Sequence, residues 1–315
     1  MDHASRPAIL TPDREGIAEA ARILREGGLV AVPTETVYGL AARADRDESV
    51  AAIYKAKGRP SFNPLIVHVA GLEAAQALAT FDARALQLAD AFWPGPLTLV
   101  LPLRDDAPVA AAVTARLATV ALRCPAHPVM RALIAETGLP LAAPSANRSG
   151  GVSPTDAAHV VSSLEDRIDA VIDAGTCEAG LESTIIALRE GGRWQVLRPG
   201  PISERRIAAV LGTSSEAVTS QAIEAPGQLA SHYAPGKPVR LDAPTAQADE
   251  FHIGFGDVAG DVTLSASGDL DEAAARLYAL LHEAAASQQK RIAVAPIPHD
   301  GIGTAINDRL RRAAA

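Results

Sequence analysis

The run Lys55-Ala56-Lys57-Gly58-Arg59-Pro60-Ser61-Phe62-Asn63-Pro64-Leu65-Ile66-Val67-His68 holds two of the chain's four lysines beside an arginine. Most of the remaining cations are arginines scattered through an acidic molecule. Just before the run, Ser49-Val50-Ala51-Ala52-Ile53-Tyr54 is amphipathic and reads as the last turns of a helix. Just after it, Leu65-Ile66-Val67 reads as a buried strand. The basic cluster is therefore expected as a short connection between two rigid elements, where binding groups tend to lie. Gly58, Pro60 and Pro64 keep helix and sheet from absorbing it. A lysine point charge beside an arginine fork suits a polyphosphate. The alternative is a solvated helix end whose cations answer the helix dipole.

A length of 315 residues suggests about two domains. The hydrophobic fraction is 48%, but only 3% is aromatic, so the expected core is built from small aliphatic contacts. No apolar run approaches the roughly 20 residues needed to span a bilayer. Met1-Asp2-His3-Ala4-Ser5-Arg6-Pro7 lacks a charged region followed by an apolar one, so no secretion signal is expected. Cys124 and Cys177 are far apart and form no Cys-x-x-Cys, which fits a reduced, cytoplasmic setting. A net charge of −8 argues against broad nucleic-acid binding while leaving room for a local basic pocket.

Thr11-Pro12-Asp13 is expected to cap a helix running to about Arg25, with Pro12 at its first position and Gly27-Gly28 ending it. Leu29–Val32 reads as a strand. Pro33-Thr34-Glu35-Thr36-Val37-Tyr38-Gly39-Leu40 is either an edge strand with a turn at Gly39 or a polar shelf lining a pocket. Helices are expected near Leu72–Ala79 and Ala83–Phe92. A rigid corner at Trp93-Pro94-Gly95-Pro96 follows, then a strand over Leu97–Leu101. Thr119–Pro125 is a strand whose Arg123 needs an anion, either an internal ion pair or a ligand carboxylate. Cys124 reads as a small core residue rather than a nucleophile.

Leu141–Thr155, rich in small residues, hydroxyls and glycines, reads as a loop whose backbone can approach an anion; no Walker sequence is present. Ser153 is expected to cap a helix over Thr155–Leu164, with Pro154 at its start. Leu181–Ile186 and Trp194–Gly200 read as paired strands with the hairpin at Gly191-Gly192, followed by a helix over Ser203–Leu211. From Gly212 to about Pro238 the composition shifts to a long linker. Strands at Val239–Leu241, Phe251–Phe255, Val262–Leu264 and Arg291–Ala295, with helices over Leu270–Ala286 and Ile302–Arg312, make a second α/β unit. Gly254-Phe255-Gly256-Asp257 imitates a dinucleotide fingerprint, but a strand rather than a helix follows it. The eight histidines show no metal-ligand spacing.

Seven segments together resemble the threonylcarbamoyl-AMP synthase family, in order and spacing. They are Pro-Thr-Glu-Thr-Val-Tyr-Gly-Leu at 33–40, Lys-Gly-Arg-Pro at 57–60, Asn-Pro-Leu-Ile-Val-His at 63–68, Trp-Pro-Gly-Pro-Leu-Thr at 93–98, Pro-Ser-Ala-Asn at 144–147, Ser-Thr-Ile at 183–185 and Leu-Arg-Pro-Gly at 197–200. His232-Tyr233-Ala234-Pro235 and the closing Ala305-Ile306-Asn307-Asp308-Arg309-Leu310 look like its longer, two-domain form. The resemblance implies a YrdC-like twisted mixed α/β sheet with helices around a large concave pocket, plus a smaller C-terminal Rossmann-like α/β domain. The implied division is a catalytic domain over 1–211, a linker acting as lid over 212–238, and a C-terminal domain over 239–315.

The resemblance also implies a nucleotidyltransferase that converts L-threonine, bicarbonate and ATP to threonylcarbamoyl-AMP and pyrophosphate. That product feeds the threonylcarbamoyl modification of adenosine 37 in tRNA. Matched motif by motif, ATP would meet Lys57, Arg59, Asn63, Thr119, Ser145, Asn147, Ser153, Arg198 and Tyr233. Threonine would lie among Thr36, His68, Arg123, Ala143 and Ser183. Mg²⁺ is expected on the triphosphate, held mostly by phosphate and water. Hand-over of the product to the tRNA threonylcarbamoyl-transferase machinery is a further implication. Gln228-Leu229-Ala230-Ser231 departs from the family's usual Met and basic residue, so a charged lid contact to phosphate is not expected. Two other readings stand beside this one: a carbamoyl-adenylate enzyme of the hydrogenase-maturation type, and a non-catalytic double-stranded-RNA-binding or ribosome-associated module.

Overall fold

Short, wholly apolar strands such as Val30-Ala31-Val32 need cover on both faces, and the architecture supplies it. The computed structural model describes residues 6–218, 223–229 and 231–315; Met1–Ser5 of the N-terminal reading lie outside the described residues. In chain order come β1 (Ala8–Leu10), α1 (Arg14–Arg25), β2 (Val30–Val32), β3 (Gly39–Arg43), α2 (Asp47–Lys57) and β4 (Ile66–His68). Next are α3 (Leu72–Gln76), α4 (Ala83–Phe92), β5 (Leu97–Pro102), β6 (Thr119–Arg123), α5 (Pro128–Thr137) and β7 (Leu141–Ala142). Then α6 (Ala157–Leu164), β8 (Ala170–Ile172), β9 (Thr184–Leu188), β10 (Trp194–Arg198) and α7 (Glu204–Leu211) complete the first unit. After the linker follow β11 (Val239–Arg240), β12 (Glu250–Gly254), β13 (Val262–Thr263), α8 (Leu270–Ala286), β14 (Arg291–Val294) and α9 (Gly303–Ala313).

The first ten strands form one mixed sheet in the order β1-β8-β2-β3-β7-β4-β6-β5-β9-β10. In its centre the two-residue period of strands sorts side chains cleanly. Val67, Leu122, Leu99 and Ile186 enter one large core, while Ile66, Ala121, Val100 and Ile185 line the opposite face. The second unit is a parallel four-stranded sheet, β11-β14-β12-β13, covered by α8 and α9. Its core, with Leu277, Ile292 and Ile306, continues into Val37, Val152, Leu181 and Tyr233 of the first unit and linker. The two units thus share one apolar cluster. No described helix is long and apolar enough to cross a membrane.

Four local expectations are corrected. Lys55 and Lys57 belong to the last turn of α2 rather than to a connection; the helix stops at Gly58, in the left-handed region at φ +60°. Pro12 precedes α1, and the cap is Asp13, whose carboxylate accepts from the Gly16 amide at 2.9 Å. Likewise Asp156, not Ser153, caps α6. Residues 33–40 are not an edge: the Thr34 hydroxyl closes a tight turn by bonding Val37, and Gly39 opens β3, an interior strand. The hairpin at Gly191-Gly192 and the secondary structure of the C-terminal unit are as expected, apart from one or two residues at the element ends.

Candidate functional site

The face of the sheet opposite the large core carries a polar end and an apolar strip. At the polar end β4 and β6 run parallel with His68 beside Arg123. Two pairs inward, on the same face, lie Ile66 and Ala121, which with Val100, Ile185, Ala187 and Leu197 make the strip. Against the polar end of this face is a small cavity of about 40 Å³, walled by residues of the sheet, the 143–145 loop and the linker.

Arg123 is 4% exposed and answers both halves of its alternative. Its Nη2 stands 2.6 Å from Glu35 Oε1 as a buried ion pair, and Nη1 donates to Thr36 Oγ1 at 2.9 Å, yet the side chain also lines the cavity. Burial pushes the Glu35 carboxyl up, but the Arg123 charge outweighs it and leaves the pKa below its ordinary value. His68 is pushed down to about 3 by burial and then by the Arg123 charge, so it is neutral at working pH. Its buried Nδ1 has no partner among the described residues.

Around the other end are further guanidinium groups. Arg59 lines the cavity while gripping its own loop: Nη2 donates to Asn63 Oδ1 at 2.6 Å and to the Pro64 carbonyl at 2.9 Å. Burial and the neighbouring Arg198 charge hold its pKa down to about 10, so it remains a cation. Arg198 also faces the cavity, with Nε donating to the Ser183 carbonyl and Nη2 to the Ser183 hydroxyl, both at 3.1 Å. Ser183 Oγ is in turn 2.7 Å from Thr98 Oγ1. Lys57 is buried with Nζ donating to the carbonyls of Ser145 (2.6 Å) and Asn147. It therefore ties the 144–151 loop to α2, and burial first, then Arg59, lowers its pKa.

Of the sequence-derived set, Thr36, Arg59, His68, Arg123, Ala143, Ser145, Arg198 and Tyr233 share the cavity wall. Lys57, Asn63, Asn147, Ser153 and Ser183 stand behind it. Asn63 holds Arg59, and the Asn147 amide donates to the Arg148 and Gly151 carbonyls at 2.8 Å each. Thr119 lies apart, paired with Pro102 at the far end of β6, on the same face as Ala121 and Arg123.

Three groups were not singled out from the sequence. His232 and Glu182 are in the cavity wall, and Glu35 is behind it. Glu182 accepts from Ser153 Oγ at 2.5 Å, from the Tyr278 hydroxyl at 2.9 Å and from Arg309 Nε at 2.9 Å. The reasoning applied to Arg123, that a charge beside a buried apolar run needs a partner, applies equally to Glu182 inside Leu181–Ile186. Burial would raise its pKa, but Arg309, Arg198 and the hydrogen bonds bring it down to about 2. A carboxyl depressed below its ordinary 4.5 contributes stability that is complete above that value and is lost as pH falls through 4.5 toward 2. Glu182→Gln is therefore expected to flatten the fall of stability in that window in a urea-denaturation series; an unchanged slope would dismiss the ionised assignment.

The linker closes the cavity. Ala225 is fully buried on the apolar strip, and Tyr233, at φ +63°, packs 5.6 Å from the ring of Tyr278. Gly227 (φ +88°) rests on Arg198 so closely that a Cβ would fall 2.7 Å from Arg198 Cδ. Gln228 turns inward, its Oε1 accepting from the Glu224 and Ala225 amides, and Arg312 donates to the Leu229 carbonyl. Ala230 of the departing segment lies outside the described residues.

A large mixed sheet bearing an arginine-rich pocket, closed by a linker and a smaller parallel α/β unit, is a YrdC-like architecture in its two-domain form. Residues 22–200 match the Sua5/YciO/YrdC family profile, described as "Telomere recombination", and residues 202–315 match "Threonylcarbamoyl-AMP synthase, C-terminal domain". The chain is 40% identical to the threonylcarbamoyl-AMP synthase of Bacillus subtilis, over 95% of this chain and 92% of the relative. It is 38% identical to that of Pyrococcus abyssi, over 94% and 93%. The crystal structure of P. abyssi Sua5 complexed with L-threonine superposes with a TM-score of 0.87 at 36% identity, covering 96% of this chain and 95% of that one. The chain belongs to the threonylcarbamoyl-AMP synthase family. It is accordingly a nucleotidyltransferase whose product, threonylcarbamoyl-AMP, serves tRNA modification.

Proposed function

We propose that L-threonine occupies the polar end of the cavity and ATP lies across it toward the apolar strip. The observation that carries this is the single face of β6: Arg123 at the polar end, Ala121 on the strip and Thr119 beyond it. Arg123 would take the threonine carboxylate, with Thr36, His68, Ala143 and Ser183 around the rest of the amino acid. Arg59 and Arg198 would meet the triphosphate, with the Ser145–Asn147 backbone held in place by Lys57 and with Asn63 and Ser153 behind them. The base would rest on the small aliphatic strip near Thr119. Ala225 covers that strip here, so the linker over 212–238 would swing away to admit ATP and return as a lid that keeps water from the carbamate and the adenylate.

The threonine amine attacks the bicarbonate carbon and the carbon–hydroxyl bond breaks, the hydroxide leaving as water with the amine proton, to give the carbamate. A carbamate oxygen then attacks the α-phosphorus and pyrophosphate leaves. Positioning and charge neutralisation by the arginines carry this step, and no protein nucleophile is required. Among the described residues no cluster of His, Cys, Asp and Glu would cage a metal, and Glu182 in the cavity wall and Glu35 behind it are each engaged by an arginine. Mg²⁺ would travel on the triphosphate, held mostly by phosphate and water. Two implications of the reading are cytoplasmic residence and hand-over of the labile product to a transferase acting on tRNA. Nothing favours the RNA-binding module in a chain of net charge −8 whose pocket cations are buried. The test is pyrophosphate release from ATP and bicarbonate. Release that depends on threonine, with serine weaker and no amino acid inactive, is expected; release indifferent to the amino acid would overturn the placement.

A further inference from the structure

The second unit sets a cation directly behind the wall of the pocket. Arg309, on α9, is fully buried. Its Nε donates to Glu182 Oε2 at 2.9 Å, its Nη2 to the Pro199 carbonyl at 3.0 Å and its Nη1 to Asp308 at 2.8 Å. Its guanidinium carbon also stands 5.2 Å over the ring of Tyr233, the aromatic that the linker lays into the cavity. On the far side Tyr278, from α8, donates to the same Glu182 oxygen. One side chain thus touches the pocket carboxylate, the strand end beside Arg198 and the lid.

Glu182 makes this contact consequential. It is the one carboxylate in the cavity wall among the described residues, and it shares that wall with Arg59 and Arg198. A buried carboxylate without a counter-charge would repel the anionic triphosphate and cancel part of the arginine field. Ser153 and Tyr278 donate hydrogen bonds to it but bring no charge. Arg309 is the cation in direct contact, and it comes from the C-terminal unit.

We propose that Arg309 is a positioning residue of the synthesis site: it neutralises Glu182 and backs Tyr233, so that while α9 is docked the Glu182 charge does not offset the Arg59 and Arg198 charges that face ATP. The inference rests on the ATP placement above. It gives the C-terminal unit a role in substrate affinity rather than in stability alone. A purely structural ion pair would lower stability when broken and leave ligand discrimination untouched.

The experiment is a double-mutant cycle read by calorimetric binding of Mg·ATP and of L-threonine to the full-length chain. Arg309→Met is expected to weaken ATP binding about tenfold or more and to change threonine binding by less than about threefold. Combining it with Glu182→Gln, which removes the stranded charge, is expected to bring ATP affinity back to within about threefold of the Glu182→Gln single variant. Wild-type ATP affinity in Arg309→Met, or a double variant no better than Arg309→Met alone, overturns the proposal. Should Arg309→Met not fold, Arg309→Lys keeps the charge without the fork. ATP affinity within about threefold of wild type supports neutralisation, and a tenfold loss in the folded protein overturns it. If the wild-type chain itself fails to bind ATP, the placement falls and takes this inference with it. Normal wild-type binding alongside an unaffected Arg309→Met removes only the role of Arg309.

Discussion

Arg59→Ala is expected to slow ATP-dependent pyrophosphate release by about two to three orders of magnitude, roughly 3–4 kcal/mol of lost charge stabilisation at the reacting phosphates. The size of the effect follows from geometry. Arg59 is 8% exposed, its pKa of about 10 keeps it charged, and it faces the same cavity as Arg198. In that buried setting a fixed cation acts on a phosphate with reduced solvent screening. The same guanidinium also anchors Asn63 and Pro64, so the loop from Gly58 to Leu65 loses its internal brace. Arg59→Lys separates the two contributions. A lysine keeps the charge but cannot span the carbonyls and the Asn63 amide together, so partial activity with a loosened loop is expected. The fold should survive in both variants, because the neighbouring Tyr54 and Leu65 remain packed in the core. Near-normal turnover in a folded Arg59→Ala chain, checked by circular dichroism, would remove the phosphate clamp from the mechanism.

Where the chain speaks locally, its sequence could be read. The β9–β10 hairpin has glycines at its turn and an apolar-rich strand on either side, and the second unit has strands and helices of ordinary length and spacing. β1, β7 and β8 are two or three residues long, too short for any period to show, and they are strands only because neighbours offer them a ladder. Lys57 misled for a different reason. A charged residue at a helix end normally faces water, and only the two carbonyls of a loop almost ninety positions away make burial tolerable. The site divides along the same line. Arg59 was legible from its local chemistry, and Ser145 and Arg198 from the resemblance of their motifs; all three face the cavity. Glu182 was not, because its partner Arg309 lies 127 positions further along and nothing in the spacing joins them. Glu35 sat inside a quoted motif, yet its function as the counter-ion of Arg123 depends on β6 arriving beside it.

That pairing sets the second large effect. Arg123→Ala is expected to raise the threonine requirement by about a hundredfold, within the roughly 2–5 kcal/mol seen when one member of a buried charge pair is truncated, while the ATP requirement moves only a few-fold. Part of the loss is the missing carboxylate partner, and part is Glu35, left as a buried anion against an anionic ligand. Adding Glu35→Gln distinguishes the parts. The double variant should recover the stability forfeited by the lone carboxylate, read as a denaturation midpoint, yet still bind threonine weakly because no cation faces it. Recovery of threonine affinity in the double variant would make Arg123 a mere counter-ion to Glu35. Equal increases in the threonine and ATP requirements of Arg123→Ala would likewise deny it the carboxylate. The structure favours the separate outcome: Arg123 spends Nη2 on Glu35 and Nη1 on Thr36, and that fixed, buried guanidinium is still part of the cavity wall.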